Sequence, residues 1–494
     1  LRRVLLTVAA LLLAAPAWAK TWVVPGMDTF AAALAATAGD VVLLSAGSYG
    51  SLAPTGTGNA AQPVVWVGSG SCTVTGIVPK SYHQFYGITS SSGVDMPANG
   101  KKVMFNGCTI TGSLNFKDAD SSSVRACTIT GSSLTVNAGD GNMAQSDTVE
   151  SCSFTGLSAA SGFAIRFGIT DAGLGYVDGF VRRFNTFAIS QTGSAAYTPA
   201  KHFKTSNMLS YANKFTITST ASGVGVNEGD FGMVFRDSSY SLTMRRDTLF
   251  FDNEGASFST NGLLTSSGMG GAYSSSLTGW AIDSCYFRVF NGTPVHLQAQ
   301  VPGMRFRYNV VRSRLGRAIS LASGFLAASN DPYIHHNTFM GSQAVHFGDQ
   351  ANTGGRFSNN ILWGTSTATC AEDQAVGGCS NATPVSLSDS NFVYSTTADS
   401  TRSFYYTGGC LAPRVGAWAA RPNDTHSYFA SPAFTDTTWA SLNARPTSSS
   451  LAFSSNLWTL GYAGAFDAAA AESPAPSGGC TCPPDIYFVR EDDL

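Results

Sequence analysis

Fourteen of the 29 lysines and arginines fall between Arg182 and Arg317 with only seven acids among them, so this segment carries +7 while the rest of the chain carries −9. Arginine's planar fork matches carboxylates and sulfates, so a basic surplus of this kind suits an acidic polysaccharide. An enzyme that cleaved such a polymer as a lyase would have to remove the proton α to a uronate carboxylate. That needs a base held nearly neutral and positive charge to stabilise the developing carbanion. Lysine serves as the base when neighbouring cations depress its pKa. Of the seven histidines, His83, His202, His296, His335, His336, His346 and His426, none form an i,i+4 helical metal pair. His202, two residues before Lys204, and His296 are the two placed to act.

These side chains need a scaffold, and the sequence supplies one as a repeat. Its core is a Cys, Asn or Asp followed two positions on by an apolar residue, usually with another apolar residue three positions before. The ten central residues are Cys108, Cys127, Cys152, Asn185, Asn213, Asp247, Cys285, Asn309, Asn337 and Asn360. Position +2 is apolar in all ten, and position −3 in eight, the exceptions being Arg182 and Ser210. The nine gaps total 252 residues and average 28. One coil per repeat of a single-stranded right-handed parallel β-helix has that length, with longer gaps where loops are inserted. Each strand then pairs with its equivalent one coil on, about 4.8 Å away, and like residues stack. A stacked Asn column satisfies the bend, and Cys108, Cys127 and Cys152 read as small packing residues in it.

Position −2 should face outward, and there stand Arg125, Arg183, Arg245, Arg307 and His335. Stacked across coils they would form a partly cationic stripe, which makes Arg183, Arg245, Arg307, His335 and the nearby His202 candidates for substrate binding. Solenoid ends need caps. Asp28 can cap a helix over Thr29–Ala36, after which Gly39-Asp40 turns into Val41–Leu44. The repeat fades from Asp399.

Composition restricts the function classes. The chain is 44% apolar and only 12% charged, with 52 glycines, which excludes global disorder and a coiled coil. No Lys/Arg run points to nucleic acid. Arg2 and Arg3, the apolar run Val4–Ala15 and Ala17-Trp18-Ala19 read as a cleaved signal peptide, and no later stretch is long and apolar enough to span a membrane. Ten cysteines fit an oxidising compartment. Cys370 and Cys379 are the best-placed disulfide pair. Cys480-Thr481-Cys482 reads as a staple, an attachment point or a metal pair.

The stretch Thr29–Gly50, TFAAALAATAGDVVLLSAGSYG, resembles the start of secreted β-helix proteins of the chondroitinase B and alginate lyase type. Asn423–Phe434 and Leu460–Asp467 resemble their closing segments. In that family a Lys-Ser pair precedes an Asn-x-Phe by nine positions, with an Arg on the next coil. Here Lys204-Thr205 stands nine before Asn213-Lys214-Phe215, and Arg236 stands 11 before Asp247. The resemblance therefore implies Lys204 as general base and Arg236 as acid or charge stabiliser. Calcium-binding members place Glu five and seven before the lysine, where this chain has Pro199 and Tyr197. Asn227, Glu228 and Asp230 offer oxygen ligands near Arg236, so Ca²⁺ is the one cofactor considered and none is assigned. Glycoside hydrolysis is disfavoured, because no convergent Asp/Glu pair or pectinase-type signature is found.

The expectation is a signal peptide (1–19), an N-terminal cap and first coil (20–60), a parallel β-helix (61–399), irregular C-terminal coils (400–467) and a linker with a Cys-containing acidic tail (468–494). The protein is expected to be secreted and monomeric. Its partner is an anionic polysaccharide, cleaved by β-elimination. The competing reading is a non-catalytic adhesive or structural surface rod.

Overall fold

The structure, a computed structural model, describes residues 19–136, 143–160, 163–168, 176–192, 199–220, 231–236, 241–252, 260–266, 279–297, 301–321, 331–347, 354–365, 376–379, 387–395, 404–406, 427–429, 431–434 and 446. The expected signal peptide, the Cys370–Cys379 pair and the Cys-containing tail lie wholly or partly outside these residues. Contacts divide the chain into two compact units, residues 1–191 with 199–216 and residues 192–198 with 217–494. Each is a parallel β-helix.

In the first unit the first sheet stacks nine strands in chain order, from Thr21–Val24 and Val41–Leu44 through Ser123–Arg125, Thr148–Glu150 and Val181–Arg183 to Leu209–Tyr211. The second sheet runs from Gly47–Tyr49 through Thr128–Ile129 and Ser153–Ser158 to Thr186–Gln191 and the start of Lys214–Ser219. The third runs from Val94–Asp95 through Leu134–Val136 and Ile165–Phe167 to Ala200–Phe203. A short fourth sheet holds Met143–Gln145, Tyr176–Asp178 and Thr205–Ser206. Inward residues stack as the repeat requires. Phe154, Phe187 and Phe215, all at +2, form a pile with ring centroids 4.7 Å apart. Between the second and third sheets the coils touch so closely that a Cβ on Gly131 would overlap the backbone of Gly112, and one on Gly112 that of Gly93.

The repeat's central residue has a clear physical task. The residue before it bends the chain through the left-handed region, with φ between 50° and 63° at Gly107, Ala126, Ser151, Phe184 and Ala212. For a non-glycine residue this costs about 1 kcal/mol. It also turns a backbone N–H into the coil interior, where the next coil's side chain accepts it. Cys108 N donates to Cys127 Sγ (3.3 Å), Cys127 N to Cys152 Sγ (3.4 Å), Cys152 N to Asn185 Oδ1 (2.9 Å) and Asn185 N to Asn213 Oδ1 (3.1 Å). Neighbouring sulfurs and burial push the Cys127 thiol far above its ordinary range. These cysteines are structural thiols, as are Cys72 and Cys285, and all five are free.

The corner leading into the first sheet obeys the same rule. Lys102, Ser121 and Ser146 have φ of 52°, 55° and 55°. Val103 N donates to Ser122 Oγ and Ser122 N to Asp147 Oδ1. Asp147 is 1% exposed, and burial first, then Asp120, raises its carboxyl to about 8. It is thus neutral in the fold at pH 7 but ionised when unfolded. Asp147→Asn is therefore expected to stabilise the protein at pH 7 by up to about 4 kcal/mol, a gain that shrinks to less than about 1 kcal/mol near pH 4 as the unfolded carboxylate takes up its proton. Denaturation of the two proteins at both pH values measures it.

The N-terminal helix differs from expectation. It is a single turn, Phe30–Ala33, capped by Thr29, whose hydroxyl accepts from Ala32 N (3.2 Å). Asp28 instead accepts from Val23 N and Lys20 Nζ, which fixes it outside the helix. Ala33 and Ala36 are buried, whereas Phe30 lies 5.2 Å from Tyr49. The Gly-Asp turn forms as expected, and Asp40 ties Lys20 N, Thr37 N and Trp22 Nε1 together.

The second unit repeats the plan. Its first sheet stacks Thr243–Arg245, Ala281–Asp283, Arg305–Arg307, Tyr333–His335, Arg356–Ser358 and Leu387–Asp389. The second sheet runs from Thr248–Asp252 to Tyr428–Phe429, and the third from Phe231–Arg236 to Phe404–Tyr406. The corner ladder continues: Cys285 N to Asn309 Oδ1, Asn309 N to Asn337, Asn337 N to Asn360, Asn360 N to Asn391 and Asn391 N to Ser427 Oγ. Outside the second sheet lies a further apolar layer of Tyr286, Val310, Met340 and Trp363, with Phe434 stacked on Trp363 at 4.8 Å. Among the described residues no helix is long and apolar enough to cross a membrane.

Candidate functional site

Position −2 does face outward, but the column is not a cationic stripe. In the first unit Glu150 sits in register between Arg125 and Arg183 and pairs with both, at 3.5 and 3.1 Å. In the second, Asp283 lies between Arg245 and Arg307. Arg307 holds Asp283 with both arms of its fork, at 2.9 and 3.0 Å. That bond raises the Arg307 guanidinium further. The low-charge logic of a stacked fold accounts for this, since like charges one coil apart repel and alternating ones do not. His335 follows Arg307 in register but is only 7% exposed. Its ring stacks on Tyr333 at 4.0 Å, and its Nδ1 lies 2.8 Å from His336 Nδ1. Burial first, then His336 and the arginines around it, push His335 down to about 3. It is a neutral packing residue rather than an outward cation.

His202 is corrected more sharply: it points into the coil and is fully buried. It stacks on Phe167 at 4.6 Å, and its Nε2 lies 3.0 Å from Arg182 Nη1. Arg182, 1% exposed, also donates from Nε to Ser210 Oγ (2.7 Å) and lies 4.8 Å over Phe215. The two breaks in the apolar −3 pattern, Arg182 and Ser210, are therefore partners in one internal polar cluster.

Lys204 occupies the corner between Ala200–Phe203 and Thr205–Ser206, with φ 44°. Its Nζ lies 5.7 Å over the Tyr176 ring of the preceding coil. On the outer face of the third sheet, Lys201 is in register with Arg166. Lys201 Nζ lies 4.3 Å over Phe203 and 5.0 Å over Phe163, and Arg166 lies 5.6 Å from Phe163. Lys201 is 4% exposed although it faces outward, and burial lowers the Arg166 guanidinium pKa. Beside Lys204, Asp178 is held by Ser206 Oγ (2.7 Å) and Asn207 Nδ2 (2.8 Å). Two adjacent coils thus group Arg166, Lys201 and Lys204 around Phe163, Tyr176 and Phe203, with Lys201 and Phe203 buried. Apart from Lys204 the sequence did not single these residues out: Lys201 lies in the basic segment, but Phe163, Arg166 and Tyr176 precede it.

Arg236 ends the strand Phe231–Arg236 of the second unit, opposite Ser266. His296, in the same third sheet, is lowered to about 4 by burial and then by Arg317. The Ca²⁺ expectation finds no donor at Pro199, whose carbonyl is taken by Ile165 N (2.9 Å). Tyr197, Asn227, Glu228 and Asp230 lie outside the described residues. Among the described residues no three His, Cys, Asp or Glu are grouped to hold a metal.

No protein-family model and no curated protein matches the chain. Solved structures do. PfbA, a surface adhesin of Streptococcus pneumoniae, is 10% identical over 62% of this chain and 84% of its own, with a TM-score of 0.37. A PL6 family polysaccharide lyase from Pseudopedobacter saltans is 12% identical over 64% and 82%, TM-score 0.36. A mannuronic acid specific family 6 lyase from human gut microbiota is 14% identical over 78% and 91%, TM-score 0.35.

Proposed function

We propose that this chain is an exported β-helix protein that binds an anionic, uronic-acid polysaccharide and cleaves it by β-elimination with Lys204 as the base. The observation that carries this reading is the grouping of Arg166, Lys201 and Lys204 with Phe163, Tyr176 and Phe203 on two neighbouring coils. Aromatic faces pack against sugar rings, and cations set among them meet carboxylates where water screens charge weakly. In the reaction the Lys204 amine takes the proton α to the uronate carboxylate. The electron pair forms a carbon–carbon double bond as the glycosidic oxygen departs, and an acid protonates that oxygen. Positive charge placed against the carboxylate stabilises the carbanion that forms beside it.

The test is the ultraviolet absorbance of unsaturated uronate on addition of alginate, pectate or chondroitin, with and without Ca²⁺. Lys204→Ala is expected to lower the rate by about 100-fold or more while the protein still binds the polymer. Arg236→Ala tests the second role the sequence reading assigned. Binding without product from the unaltered protein overturns the lyase reading and leaves an adhesive one.

A further inference from the structure

The outer face of the second unit's first sheet has a second column beside the neutralised one. Arg305, Tyr333 and Arg356 follow one another in register on three successive coils. Both arginines are exposed and the tyrosine between them is partly so. We infer that Arg305, Tyr333 and Arg356 form a binding lane for an extended uronate polysaccharide running along the stacking direction, with a carboxylate at each arginine and a sugar ring on the tyrosine between them. The ligand class rests on the polysaccharide reading above, but the lane itself does not.

Spacing supports the lane. Coils repeat at about 4.8 Å, so Arg305 and Arg356 stand roughly 10 Å apart. That is close to the two-sugar repeat of an extended 1,4-linked chain. The platform is already held in place, because Tyr333 stacks on the buried His335 (4.0 Å) and the Arg356 guanidinium lies 5.1 Å from its ring centroid. Ordering costs that a free side chain would meet on binding are therefore small. Both arginines can take a new carboxylate. Arg305 has no ion pair among the described residues, and Arg356 bonds Asp331 at 3.0 Å in a pair whose members are 48% and 54% exposed. Such exposed pairs exchange at little cost. The neutralised column does not compete, since Arg307 is tied to Asp283. His335 beside the lane is kept neutral first by burial, then by His336, Arg307, Arg305 and Arg356.

Calorimetric titration with oligogalacturonate and oligomannuronate, and with a neutral cello-oligosaccharide as control, tests the lane in full-length protein carrying Arg166→Ala and Lys204→Ala. That background is expected to retain one oligouronate site and to ignore the neutral sugar. Adding Arg305→Ala and Arg356→Ala should weaken this site by about tenfold or more. Replacing both with lysine, which keeps the charge but not the fork, should lose less, and Tyr333→Ala should weaken binding without altering its salt dependence. The arginines are exposed, so unchanged denaturation midpoints serve as the folding control. No binding in the background, or equal binding after the arginines are removed, overturns the lane. Failure of the proposed function has a different signature, namely equal binding and turnover by the background and the unaltered protein.

Discussion

Acidification from pH 7 to about 4 is expected to unfold the second unit before the first. His296, His335 and His336 lie in the second unit and are held at about 4, 3 and 4, against an ordinary 6.5. Burial is the first cause in each case. Arg317 adds to it for His296, Arg307 for His336, and His336, Arg307, Arg305 and Arg356 for His335. Unfolded, each imidazole takes up its proton as the pH falls through about 6.5, whereas folded it stays neutral until about 4 or below. Between those limits the unfolded state binds more protons, so stability falls with pH. Acting independently the three would withdraw on the order of 10 kcal/mol, comparable with the whole stability of a domain. The hydrogen bond shared by His335 and His336 makes the true figure smaller.

The first unit carries an internal compensation. His83, fully buried against Trp66, stands at about 4 and weakens the fold in acid in the same way. Asp147, raised to about 8, works in the opposite sense. Its folded form keeps a proton that the unfolded chain releases above about 3.8, so its contribution improves as the pH drops from 8 to 4. Amide-exchange protection factors measured by peptide across this range should show second-unit peptides opening at the higher pH. Simultaneous loss in both units would refute the assignment. His335→Phe keeps a ring on Tyr333 but cannot take a proton, so it should move the second unit's midpoint to lower pH.

The fold was legible because its two strongest rules are local. All ten +2 residues, from Ile110 and Ile129 to Phe339 and Leu362, are buried, and the Cys/Asn column forms the corner ladder. What could not be read was which residues of different sheets meet, and along the −2 column only the cations were counted. Counting arginines at −2 left out Glu150 and Asp283, which occupy the same column and neutralise it. Arg182 and Ser210 looked like failures of the pattern because their partner His202 comes from another sheet. The third sheet was harder still, since its strands follow insertions of unequal length. Arg166 stands 14 residues after Cys152 and Lys201 stands 16 after Asn185, yet the two are in register. No fixed offset links that sheet to the repeat's central residue, so the cation and aromatic group around Lys204 emerges only from coil geometry.

Asn337→Ala should destabilise the second unit by about 3–6 kcal/mol, more than removal of any exposed side chain. Asn337 joins three coils. Its Oδ1 accepts from Asn309 N (2.9 Å) and Asn309 Nδ2 (3.0 Å). Its Nδ2 donates to Phe306 O (2.8 Å), His335 O (2.9 Å) and Asn360 Oδ1 (3.0 Å). All of this is buried, so alanine leaves the Asn309 N–H and the Phe306 carbonyl without these partners and without water. Each orphaned group costs about 1–3 kcal/mol. The bend itself is the deeper difficulty, because His336 at φ 54° and Tyr308 at φ 57° are strained turns that the ladder bonds offset. The first unit suggests the rescue. There Cys127 and Cys152 accept the same inward N–H groups through sulfur, at 3.3 and 3.4 Å. Asn337→Cys should therefore recover part of the loss, by supplying a weaker acceptor for Asn309 N and a weaker S–H donor to Phe306 O of the kind Cys152 Sγ gives Val124 O (3.4 Å). Chemical denaturation of the three proteins should rank Asn above Cys above Ala. If Cys and Ala lose equally, the column is held by packing rather than by the relay of hydrogen bonds from coil to coil.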